Sequence, residues 1–129
     1  MDIERDIPEG FIRVGTGGGC HAWQFEQSGF YVWITDNSGA TVPCVSDKYV
    51  IIGFNLEDEK MKFEEGHPPI LESLFELCED YVFDVNGDYF SYTADIEKHS
   101  LTKICRIVMS ISNDTIISKV VVGQNNRRE

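Results

Sequence analysis

The chain has 129 residues, 42% of them hydrophobic and 26% charged, with a formal net charge of −11. That length suits one domain, large enough to bury roughly two-thirds of its unfolded surface. The composition excludes a disordered polyelectrolyte and a collagen-like repeat, and no apolar run approaches the roughly 20 residues a membrane helix needs.

In chain order, residues 1–10 are polar and close on the turn signal Pro8-Glu9-Gly10. Phe11-Ile12-Arg13-Val14 reads as a short strand, and Gly15-Thr16-Gly17-Gly18-Gly19 as a flexible loop. His21 to Glu26 alternates, with His21, Trp23 and Phe25 on one face and Ala22, Gln24 and Glu26 on the other. After the turn Gln27-Ser28-Gly29, the β-prone run Phe30 to Thr35 completes a hairpin. Asp36-Asn37-Ser38-Gly39 is a second turn, and a short strand around Ala40-Thr41-Val42 closes at Pro43. Tyr49 to Asn55 is nearly all apolar and predicts a central strand.

An acidic connection, Glu57 to Gly66, leads to Pro68-Pro69, which can open a helix. Ile70, Leu71, Leu74, Phe75, Cys78 and Tyr81 then recur at helical spacing, predicting one principal amphipathic helix over about 69–80. Asn86-Gly87 between two β-prone runs signals another hairpin. The β-branched segments 103–111 and 116–122 predict a final hairpin, although Leu101, Ile104, Cys105 and Val108 also fit a helix. Residues 124–129 should fray. The sum is an α+β fold: a single domain with an antiparallel sheet of roughly six to eight strands and the 69–80 helix packed on it.

The charge is segregated. Residues 57–97 hold thirteen acidic and two basic side chains, an excess of eleven that equals the whole net charge. The rest holds nine of each. An acidic field attracts basic partners and repels nucleic acid and anionic lipid. Glu72, Glu76 and Glu79 would line one helix face as a like-charge stripe that a basic partner relieves. A helical turn rises about 5.4 Å, whereas phosphates follow every ~3.4 Å along each duplex strand. The stripe would therefore need Glu57, Asp58, Glu59, Glu64 and Glu65 beside it to imitate DNA, with Asp80 at its end.

Motifs for other chemistry are weak. The glycine run Gly15–Gly19 lacks the following Lys-Ser/Thr and helix of a phosphate loop, although Gly17, Gly18, Gly19, Cys20 and His21 could admit a small ligand, with Asp36 or His67 assisting. Cys20 and His21 adjoin on a strand and face opposite ways, so they form no nucleophile pair with each other. The three histidines and four cysteines show no metal-ligand spacing. Asp84, Asn86, Asp88 and Asp95 echo part of a calcium loop, but Tyr89 stands where that loop requires glycine. Cys20, Cys44, Cys78 and Cys105 are scattered and read as reduced thiols. The polar start Met1–Asp6 is no secretory signal, which implies a cytoplasmic location.

These features predict a binding protein rather than an enzyme, with no cofactor, no metal, no membrane contact and no direct nucleic-acid binding. Immunity proteins against nuclease toxins and phage anti-defence inhibitors offer an analogy in size and charge. The expected partner is a basic protein, gripped by the acidic residues and by exposed aromatics such as Tyr31 and Trp33. The rivals are a small-molecule or enzymatic site at Gly15–His21 and a homo-oligomeric structural component.

Overall fold

The computed structural model describes residues 3–27, 30–56, 76–83 and 89–111. They form six strands, β1 (Ile12–Gly17), β2 (Cys20–Gln27), β3 (Phe30–Asp36), β4 (Tyr49–Leu56), β5 (Cys78–Phe83) and β6 (Tyr89–Asp95), followed by one helix, α1 (Leu101–Ser110). The strands build one antiparallel sheet in the order β1-β2-β3-β4-β6-β5. The α+β class with an antiparallel sheet is therefore the observed one.

Alternation decides which face is buried. In the ladder, Trp23 stands opposite Ile34, Phe25 opposite Val32, Val32 opposite Phe54 and Ile52 opposite Tyr92. Side chains at alternate positions share a face. Trp23, Phe30, Val32, Ile34, Val50, Ile52, Phe54, Tyr92 and Ala94 thus form one apolar surface, and each is fully buried. Ile104, Cys105 and Val108 of α1, together with Phe11, join the same cluster. Phe54 packs edge-on against Tyr92 with centroids 6.1 Å apart, and Phe11 meets Phe25 at 5.6 Å.

Four expectations change. Segment 101–110 is helix, not strand. Leu101, Ile104, Cys105 and Val108 present one stripe to the sheet, and Ser100 caps the first turn by accepting from the Lys103 N–H at 3.3 Å. Burial of that stripe outweighs the weak β preference of its β-branched residues. Next, Glu76 and Leu77 form a turn and Cys78 begins β5, so the helix expected to reach residue 80 does not extend there. Pairing with β6, from Cys78↔Ala94 to Phe83↔Phe90, replaces the helical spacing. Residues 69–75, Asn86-Gly87, 116–122 and 124–129 lie outside the described residues.

The third change is at Gly15–Gly19, which is no flexible loop. β1 runs on to Gly17, pairs with Cys20, and turns in two residues, Gly18 and Gly19. Their φ values of +60° and +83° suit the mirror-image turn that matches strand twist. Finally, Ala40-Thr41-Val42 is no strand. It makes single backbone bonds, His21 N–H to Ala40 O at 2.9 Å and Asp36 N–H to Thr41 O at 2.8 Å. The next residues meet the N-terminal segment instead, through the Glu4↔Cys44 bridge.

Replacing Trp23 with Ala leaves a void beneath α1 and should cost about 3–5 kcal/mol in urea unfolding. Asp95, 4% exposed, ties the end of β6 to the next turn. Its Oδ1 accepts from the backbone N–H groups of Glu97 (2.9 Å) and Lys98 (3.0 Å), and Oδ2 lies 3.9 Å from Lys48 Nζ. Burial alone would raise this carboxyl. The two N–H donors and the lysine charges outweigh that, and its pKa is lowered. A lowered folded-state pKa adds stability above the unfolded value near 4, lost as pH falls through the folded value. The stability gap between the native chain and Asp95→Asn should thus be open at pH 7 and close on acidification, as read by urea melts across pH.

Candidate functional site

The opposite sheet face carries the aromatic pair singled out in the sequence. Tyr31 and Trp33 alternate along β3 with the buried Phe30, Val32 and Ile34. Both are half-buried, their rings tilted at 58° with centroids 5.3 Å apart. The Trp33 indole N–H donates to Gln24 Oε1 at 2.7 Å across the β2–β3 ladder, which ties the ring to its neighbour strand. Gly53 stands opposite Trp33 on β4, and the exposed Glu26 stands opposite Tyr31 on β2. Asn55, on the far side of Tyr31, buries its Nδ2 with no hydrogen-bond partner among the described residues. This face is therefore amphipathic: two ordered aromatic rings with amide and carboxylate groups at their edges. Such groups suit a protein contact, because rigid rings bury much area at small entropic cost.

The acidic residues are dispersed in their settings. Glu76 is exposed on the turn before β5, whereas Glu79 and Asp80 are strand residues next to a bulge between Cys78 and Asp80. The three-glutamate stripe on one helix face is thus not the arrangement of Glu76 and Glu79. Asp95, counted with the acidic surplus, is buried and matched by Lys48 and backbone donors, so it adds nothing to a surface field. Glu97 is exposed. Glu57, Asp58, Glu59, Glu64, Glu65 and Glu72, like His67, lie outside the described residues.

At the other end of the sheet, the glycines Gly17, Gly18 and Gly19 are taken up by the hairpin turn. Cys20 and His21 open β2 and are half-buried. Arg13 Nη1 lies 3.3 Å from His21 Nδ1, and the same guanidinium forms a two-pronged ion pair with Glu4 at 2.9 and 3.3 Å. Asp36 is spent on its own turn, accepting from the Ser38 N–H and hydroxyl. The cluster thus fastens the N-terminal segment to β1 and β2. Among the described residues, no three His, Cys, Asp or Glu side chains converge as a metal would require.

A surface that the sequence reading passed over lies where the N-terminal segment crosses α1. Arg5 anchors that segment: its backbone N–H donates to Pro43 O at 2.9 Å and its Nε to Cys44 O at 3.0 Å. The result leaves Ile3, Ile7 and Val45 exposed. The signal available in the sequence was the pair of isolated isoleucines in a polar stretch, with no periodic partners to pull them inward. Among the described residues no helix is long and apolar enough to cross a membrane.

Cys20, Cys44 and Cys105 are thiols, not disulfides. Burial pushes the Cys105 thiol up to about 12, so almost none is thiolate at pH 8. Iodoacetamide at pH 8 should therefore label Cys105 at least about tenfold more slowly than Cys20 or Cys44, as read by peptide mass spectrometry. Comparison with protein-family models, with curated proteins and with solved structures finds no match to this chain.

Proposed function

We propose that the protein is a binding module that docks on a basic surface of another protein and inhibits it, on a groove that otherwise receives nucleic acid. The observation that carries this reading is charge segregation: one-third of the chain, 57–97, holds an acidic excess equal to the net charge of −11. A segregated field accelerates encounter with an oppositely charged partner, and buried aromatic contacts then set the lifetime of the complex. The ordered Tyr31–Trp33 pair, edged by Glu26, supports the second part.

The hairpin turn takes up Gly17–Gly19 and His21 lies within hydrogen-bond distance of Arg13, so no observation favours the small-molecule reading over this one. The described residues include the exposed Glu76 of the turn and Glu79 and Asp80 of β5 as charges close in sequence, which makes them natural probes.

The test is binding to basic nucleases and nucleoprotein effectors at graded salt. Reversing Glu72, Glu76 and Glu79 to Lys should lower affinity at least about tenfold at low salt, mainly through association rate, and flatten the salt dependence. Trp33→Ala should instead speed dissociation. Unchanged affinity and salt slope after the charge reversal would show the acidic mechanism to be wrong.

A further inference from the structure

Among the described residues, a groove between the N-terminal segment and α1 is left unfilled. Two adjoining cavities, of about 320 and 410 Å³, share Pro8 and Thr102 in their walls. Three of the four large apolar side chains that stand exposed among the described residues belong to this end of the molecule: Ile3 at 67%, Ile7 at 46% and Val45 at 55%. Ile7 and Val45 line the larger cavity, and the Val45 N–H donates to Ile3 O at 2.8 Å. The Arg5 bonds to Pro43 and Cys44 hold this backbone in place, so the apolar groups are presented on an ordered segment. A surface of this kind loses little entropy when it is covered.

Charge chooses the occupant. The groove is lined by Arg5 and Arg106 and by Asp6 and Glu9, two cations and two anions. Its balance is zero on a chain whose net charge is −11. A strongly charged partner finds no complement there. A second copy does, because a two-fold axis brings the same mixed patch onto itself and can set each sign against its opposite. We infer that two copies of this chain associate through the face formed by Ile7, Val45 and the start of α1, as a weak two-fold dimer. The exposed apolar cluster is small beside the roughly 800 Å² that each partner buries in a standard interface, which places the association in the weak class. This inference does not rest on the proposed acidic docking, which uses other residues.

Sedimentation velocity from about 1 µM to about 1 mM protein at physiological salt tests it, a range chosen to bracket weak association. Mass should rise from monomer to dimer across that range. Ile7→Asp and Val45→Asp substitute exposed positions, so circular dichroism and urea melts should stay native, while the dissociation constant rises at least about tenfold. Arg106→Glu gives the patch a net charge of −2 and should weaken the dimer likewise, whereas Glu76→Lys, on the turn before β5, should not. A mass that stays monomeric to the highest concentration overturns the inference. So does a dimer that survives Ile7→Asp and Val45→Asp unchanged, which would point to another surface such as the open edge of β1. Loss of basic-partner binding with dimerisation intact would fail only the acidic docking.

Discussion

Burial of one sheet face under a ten-residue helix is the constraint from which the rest of the molecule follows. Trp23, the alternating apolar residues of β3 and β4, and Tyr92 and Ala94 of β6 give that face a continuous apolar surface. α1 covers it with Ile104, Cys105 and Val108. Nonpolar burial of this extent is the main favourable contribution to folding in a chain of this size. It fixes the register, because a slip of one residue would send Phe30, Val32 and Ile34 to the opposite face.

With that face committed, the alternate positions point away from the core. Tyr31 and Trp33 are held half-buried on the other side of β3 because their neighbours are locked into the core. The hydrogen bond from Trp33 to Gln24 gives the ring a single orientation. The same logic explains the hairpin at Gly18-Gly19. Two residues with positive φ let β1 fold back on β2, and Arg13, His21 and Glu4 then fasten the N-terminal segment beside them. Each exposed ion pair contributes at most about 1 kcal/mol, so this clasp positions the segment more than it stabilises the fold.

Two parts of the molecule differ in character. The sequence region 57–97 holds the acidic excess, and its Glu76 and Glu97 are exposed. The other, at the N-terminal segment and α1, is charge-balanced and apolar. Long-range fields act over about a Debye length, roughly 8 Å at physiological salt, whereas apolar contact acts only when water is expelled. The proposed contact with a basic partner and the inferred contact with a like copy draw on different residues.

The strands β2, β3, β4 and β6 were legible from residue order because period-two alternation and turn residues act locally. The antiparallel pairing of β5 with β6 is the one expected across Asn86-Gly87, which itself lies outside the described residues. The charge imbalance is likewise a property of the sequence alone. Three matters were settled only by tertiary packing. Segment 101–110 has both β-branched residues and a helical apolar stripe, and the open sheet face selected the helix. The residues after Glu76 kept helical spacing, yet an unpaired edge of β6 recruited them as a strand. The exposed cluster of Ile3, Ile7 and Val45 joins residues from two separate stretches of chain. No periodicity encodes it, because it exists only once Arg5 and Glu4 have pinned the N-terminal segment against Pro43, Cys44 and Arg13.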